Sequence, residues 1–185
     1  ETQARLAAIV EHSNDAIISR ALDGTILTWN AGAERLFGYS AAEVIGESVS
    51  LIVPPDLQLQ AAQRRAQLES GHAIPAYETE RITKDGRRIP VSLSQSAIRD
   101  EQGVVIGISV IFSDITYRKQ AEDALRESEG KLRSIFEGAL DGILVADKET
   151  RKFLSGNPAI CRMLGYTLEE LVRIGVPDIH PKQDL

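Results

Sequence analysis

Apolar positions recur in short strand-like runs, separated by segments where their spacing is helical. Residues 16–19 and 25–29 read as strands joined by a turn at Asp23-Gly24. Asn30 then reads as the cap of a short helix over residues 31–37, which Gly38 stops. Ser40, with Glu43 three residues on, has the spacing of a capping box and opens a further helical turn. Leu57, Ala61 and Leu68 recur at helical intervals through residues 56–70, and Gly71 ends that helix. Three longer strands follow. Residues 77–83 and 88–97 flank Lys84-Asp85-Gly86, the strongest hairpin signal in the chain. Ile89, Val91 and Leu93 alternate with Pro90, Ser92 and Ser94, so one face is buried. Beyond a turn at 100–103, residues 104–115 place Ile106, Ile108, Val110 and Phe112 on one face. Two strands, several short helices and three strands predict an α+β domain of roughly 110 residues, a five-stranded antiparallel sheet with helices on one face.

The pattern then starts again. Asp15, Ile26, Asn30, Arg35, Gly38-Tyr39 and Glu43 find counterparts in Asp141, Phe153, Asn157, Arg162, Gly165-Tyr166 and Glu170. The order is kept, with one extra residue in the first turn of the second copy. That copy reaches Leu185 before any counterpart of the long helix and last three strands. Two strands cannot bury a face alone, so a boundary inside the domain is expected; the alternative is a sheet completed by another chain. Glu1 in place of Met points the same way, to a trimmed piece of a longer protein.

Between the copies, residues 117–137 are rich in Arg, Glu, Ala and Leu, with Thr116 as the expected N-cap. Arg118, Ala121, Leu125, Ser128, Leu132 and Ile135 fall at alternating spacings of three and four, a heptad seam. The seam is weak, because Arg118 and Ser128 are poor core residues and Gly130 lowers helix propensity. The expected division is therefore a first domain over 1–116, a linker helix over 117–137, and part of a second domain over 138–185.

Composition narrows the function. Hydrophobic residues are 43% and charged residues 26%, which suits a globular chain. The net charge of -6 leaves no basic footprint for nucleic acid or an anionic membrane surface. Apolar runs such as 104–112 are too short to span a bilayer. A single cysteine, Cys161, excludes internal disulfides and argues for a reducing, cytoplasmic compartment; the soluble part of a membrane-anchored receptor would read the same. Phosphate-binding glycine loops, zinc-protease helices and nucleophile elbows are absent. His12, His72 and His180 show no ligand spacing, and His12 lacks the flanking residues of a kinase phosphoacceptor. No metal site and no enzyme activity are expected of this chain.

Trp29-Asn30-x-x-Ala33-Glu34-x-Leu36-Phe37-Gly38-Tyr39, the helical turn before Gly46, the Lys84-Asp85-Gly86 hairpin and Asp114-Ile115-Thr116 together resemble a PAS domain. Asn157, Gly165-Tyr166, Glu169-Glu170 and His180-Pro181 resemble the first half of another. The likeness covers residues 9–118 fully and 132–185 in part. It implies a sensory and dimerisation module, upstream of a histidine kinase, a diguanylate cyclase or a similar output in the same protein. Some such domains hold haem, flavin or a metabolite between sheet and helices. Haem-binding relatives carry a ligating His along the long helix, whereas residues 57–68 have no His, Cys or Met, and His72 is the only nearby substitute. A photoactive flavin needs a cysteine that the first copy lacks, and Ile74-Pro75-Ala76 stands where an aromatic platform is expected. Cys161 reads as a small buried hydrophobe of the second copy.

No haem or flavin is therefore expected, and a small-molecule ligand stays open. Candidate pocket residues are Trp29, Asn30, Leu36, Phe37, Ile89, Val91, Leu93, Ile108 and Val110, all of which plain core packing would equally explain. Glu43 and Lys84 are expected to pair, as similar positions do in relatives. Asp114, Ile115, Thr116 and Arg118 are the expected signal joint, with Asp114 meeting Arg118 or Lys119. Tyr117 stands where family members often carry an acid. Two chains are expected to pair along Ala121, Leu125, Ser128, Leu132 and Ile135. Rival readings are a cofactor-bearing redox or gas sensor and a ligand-free dimerisation scaffold.

Overall fold

The computed structural model describes residues 2–69 and 74–179, and the chain divides into a first unit, Glu1–Gln120, and a second, Ala121–Leu185. In the first unit α1 (Thr2–Glu11) leads into β1 (Ala16–Arg20) and β2 (Ile26–Trp29). The short helices α2 (Ala31–Phe37) and α3 (Ala41–Val44) follow. Two 3-10 turns, Val49–Ile52 and Pro55–Leu57, precede α4 (Gln58–Glu69). Then come β3 (Tyr77–Ile82), β4 (Arg88–Arg99) and β5 (Val105–Asp114). The strands pair antiparallel in the order β2-β1-β5-β4-β3, the α+β sheet expected from the sequence.

One face of that sheet carries Ile18, Val91, Leu93, Ile108, Val110 and Phe112, which bury against Ala33, Phe37, Val44, Ile52 and Leu68. Phe37 is the hub. Its ring meets Phe112 edge-on at 5.2 Å and Trp29 at 5.4 Å. The two caps sit where their spacing predicts: the Asn30 side chain accepts from the Ala33 N–H, and Ser40 and Glu43 close a capping box.

Three details differ from the sequence reading. The long helix starts at Gln58, because Pro55 opens a separate 3-10 turn before it; Gly71, its expected stop, lies outside the described residues. Ile106 does not share the buried face. Pairing passes from Ile98↔Gly107 to Arg99↔Val105, so Ile106 is an extra residue that bulges outward and is 53% exposed. Thr116 is not the cap of the linker helix, α5 (Thr116–Gly138). The Asp114 carboxylate accepts from the Thr116 N–H at 2.8 Å, and the Ile115 carbonyl accepts the first helical bond from Lys119. The Thr116 hydroxyl is buried with no partner, since the carboxylate two residues earlier already reaches the free N–H.

The second unit contains most of α5 and then β6 (Leu144–Ala146), β7 (Phe153–Gly156), α6 (Pro158–Leu164), α7 (Leu168–Leu171) and α8 (Val176–Ile179). Asn157 repeats the part of Asn30. Its side chain accepts from Ile143 N–H and Ile160 N–H and donates to the Asp141 carbonyl, as Asn30 does with Ile17, Ala33 and Asp15. The longer first turn is absorbed by Arg151, which adopts a left-handed φ of 54°. Phe153, Ala159 and Leu171 are buried, but Leu140 and Met163 are 90% and 66% exposed.

Candidate functional site

The first unit holds a half-open cavity of about 430 Å³ between the sheet and the segment that carries α4. Leu93, Val110 and Phe112 form its apolar wall, Tyr77 and Gln95 are polar, and Val49, Val53 and Arg65 close it from the helical side. Of the nine pocket residues expected from the sequence, Leu93 and Val110 line it. The other seven do not. Phe37, Ile89, Val91 and Ile108 are buried core, and Leu36 packs against them half-buried. The Trp29 indole N–H donates to the Tyr39 carbonyl at 3.1 Å, and Asn30 is spent on backbone bonds. Phe37 fills the space those side chains would otherwise have left open.

Two buried charged residues of the lining were not singled out from the sequence. Arg20 and Arg81 are 3% and 5% exposed, and both border the cavity. A signal was available: extending the strand alternation Ala16, Ile18, Arg20 and Tyr77, Thr79, Arg81 puts each arginine on the inner face. Arg20 Nη1 donates to its neighbour Ala21 carbonyl at 3.2 Å. Arg81 Nη1 donates to the Glu80 carbonyl at 2.6 Å and to Thr79 Oγ1 at 3.4 Å, and its guanidinium lies 5.7 Å from the Phe112 ring centre. Burial holds the Arg81 pKa below its usual value; Tyr77 opposes that shift and Arg64 adds to it.

The described lining offers no His, Cys or Met, so no such side chain stands there to ligate haem iron or bond a flavin. Cys161 is half-buried in the second unit, where it borders an open hollow with Leu132, Ile135, Phe136, Ile143 and Leu168. His72 and His180 lie outside the described residues, and His12 is exposed just past α1. Among the described residues no cluster of His, Cys, Asp and Glu could hold a metal ion, and no helix is long and apolar enough to cross a membrane.

The joint between sheet and helix is built differently from expectation. The acid that meets Arg118 and Lys119 is Glu78 of β3, at 2.5 and 2.7 Å, while Asp114 caps the helix. Arg118 therefore grips the sheet. Beyond it, Leu125, Leu132 and Ile135 are 61%, 64% and 68% exposed, and Ala121 and Ser128 are exposed with them.

Lys84 at the β3–β4 turn does pair with Glu43 of α3, and its ammonium sits 5.6 Å from the Tyr39 ring centre. The Lys84 ammonium, with the Ser40 N–H and hydroxyl, pulls the Glu43 carboxyl down to about 2. The Thr83 hydroxyl and Arg87 do the same for Asp85, also to about 2. Both folded values lie below their ordinary values of 4.5 and 3.8, so the stabilisation is present above those values and lost as pH falls through about 2. The melting temperature of the chain is expected to drop between those ordinary values and pH 2, and less steeply in Glu43→Gln. An unchanged acid slope in that variant, read by circular dichroism, would show that the pair is inert.

A family model described as PAS fold matches residues 4–115, and one described as PAS domain matches residues 130–184. The sensor histidine kinase TmoS of Ectopseudomonas mendocina is 30% identical over 78% of this chain and 15% of its own length. The signal transduction histidine-protein kinase AtoS of Escherichia coli is 31% identical over 70% of this chain and 21% of its own length. The chain thus spans a small part of these relatives. Among solved structures, the PAS domain of a Colwellia psychrerythraea protein superposes with a TM-score of 0.58 at 28% identity, covering 63% of this chain and 99% of that one.

Proposed function

The chain belongs to the PAS domain family, and from that premise we propose that it senses a signal in its first repeat and relays it through α5 to an output domain. Its relatives are sensor histidine kinases, and the output we assign is a kinase of the same protein. The chain itself does no chemistry. It carries no haem and no flavin, and it works as a homodimer.

One observation carries this reading. Tyr77 borders the cavity, and the next residue, Glu78, holds Arg118 and Lys119 in the first turn of α5. A change in the cavity wall that displaces β3 therefore acts directly on the start of the helix. β5 feeds the same turn from the other side, with Ile115 alone between strand and helix. The helix has 23 residues, about 34 Å at 1.5 Å per residue, so a small tilt at its start becomes a large displacement at its end.

Dimerisation rests on the exposed face of Leu125, Leu132 and Ile135, interrupted by Ser128. A seam with one polar position associates weakly and shifts register at little cost, which suits a switch. Ser128→Leu is expected to tighten the dimer by about tenfold or more, the effect of burying one Leu side chain per helix. Sedimentation velocity over a concentration series reads this. If both proteins stay monomeric and indistinguishable at every concentration, the helix is not the pairing surface.

A further inference from the structure

Among the described residues, few apolar contacts hold α4 to the first unit. Gln58, Leu59, Ala61, Ala62 and Arg65 form one side of the cavity. Of the helix's described side chains only Leu68 is buried; Ala61 and Ala62 are half-buried, and Leu59 is 73% exposed. Charged groups supply further contacts. Asp56, in the 3-10 turn that leads into α4, accepts from both Nη atoms of Arg88 at the start of β4, one of the bonds measuring 3.1 Å. Arg88 Nη1 also donates to Glu80 of β3 at 3.1 Å, which fixes the guanidinium against the sheet. Further along, the Arg64 guanidinium stacks 3.6 Å from the Tyr77 ring centre. An element that buries little apolar surface opens locally at a lower free energy than a core strand.

We propose that α4 is a lid over the cavity, hinged at the turn Pro55–Leu57, and that Arg88 is the clamp on that hinge. The inference goes beyond the relay through α5, since it concerns how the cavity is reached. Three features support it. Ile52, Val53 and Pro54 are buried, so the chain is anchored up to the turn, and the helix beyond it is not. A guanidinium that meets a carboxylate with two parallel bonds is directional, so Arg88 sets the angle at which the chain leaves the turn. Glu80 keeps Arg88 in place when Asp56 moves off, so the open lid finds its partner ready. Both members of the clamp are half-exposed, so salt screens it, whereas it does not screen apolar packing.

Hydrogen exchange of the whole chain, read by mass spectrometry on peptides covering α4, β4 and β5, tests this. In the parent, α4 is expected to exchange about tenfold or more faster than β4 and β5. Arg88→Gln and Asp56→Asn are each expected to speed α4 by about threefold to tenfold and to leave β4 and β5 unchanged. The double variant should match either single one, because both remove the same contact. Raising NaCl from about 20 mM to about 0.5 M should speed α4 in the parent and not in Arg88→Gln. The cavity wall gives a second readout. Val110 lines the cavity and is 3% exposed, and Cys161 is the only native thiol. In a Cys161→Ser background, the thiol of Val110→Cys is expected to react with a small aromatic disulfide about threefold or more faster once Arg88→Gln is added. The assignment is overturned if α4 exchanges only together with β4 and β5, if neither variant speeds it, or if the strands speed up equally. It is also overturned if the two variants add, if salt acts alike on parent and Arg88→Gln, or if the thiol rate ignores Arg88. Pairing along α5 enters none of these readouts, so failure here leaves the relay reading to the Ser128→Leu experiment.

Discussion

Asn30→Ala is expected to lose on the order of 4 kcal/mol of folding stability, because it leaves several backbone groups without partners at once. The Asn30 oxygen accepts from Ile17 N–H at 2.9 Å and from Ala33 N–H at 2.8 Å. Its amide donates to the Val10 carbonyl at 2.7 Å and the Asp15 carbonyl at 3.1 Å. One side chain therefore joins the end of α1, the start of β1 and the first turn of α2. An ordinary N-cap loss costs only about 1 kcal/mol. The excess comes from burial: Asn30 is 3% exposed, and water cannot replace all four bonds. Urea denaturation of the parent and the variant decides it. A loss of about 1 kcal/mol would mean that the residue is a cap and nothing more.

Gly32→Ala should also destabilise, against the direction that helix propensity gives. Alanine in a helix interior is favoured over glycine by about 1 kcal/mol. A Cβ on Gly32, however, would stand 2.2 Å from the Asp15 carbonyl oxygen and 3.0 Å from that of Ser13. Both neighbours are backbone, so α2 must lift away from the start of β1, and the Asn30 bonds to that segment lengthen with it. Overpacking of this kind costs about 3 kcal/mol, which outweighs the propensity gain and leaves a net loss of roughly 2 kcal/mol. Equal or greater stability of the variant would show that α2 slides freely. The second copy has no matching glycine to serve as a control, because Ala159 occupies the second position of α6, where Gly32 stands in α2.

These two sites show what local chemistry alone specifies here. Asn30, Gly38, Ser40 with Glu43, and Lys84-Asp85-Gly86 act within a few residues of themselves, so their caps and turns are legible one segment at a time. The internal repeat carried the same information twice, and Asn157 with Gly165 folds as Asn30 with Gly38 does. Strand alternation identified the buried face, and that face supplied the five-stranded sheet. The Glu43–Lys84 pair was expected through the family resemblance, since 41 residues separate its members.

Other features depend on which surfaces meet. A bulge at Ile106 arises only when β5 is laid against β4, because pairing register is a property of two strands. Asp114 and Arg118 are close in sequence and opposite in charge, yet Glu78 takes Arg118, since the edge strand β3 presents its carboxylate to the helix start. The pocket followed the same rule. Leu36, Phe37 and Val91 share the apolar character of Leu93 and Val110, and nothing in their own segments distinguishes a residue that fills the core from one that borders a hollow. That distinction is made by Phe37 seating against Phe112 and Trp29, which closes one end of the space under the sheet. The hollow is left between α4 and the strands that carry Arg20 and Arg81. Hydrogen-bonding and turn preferences are local, whereas volume is shared among distant segments, and so the elements were written in the chain while the cavity waited for their packing.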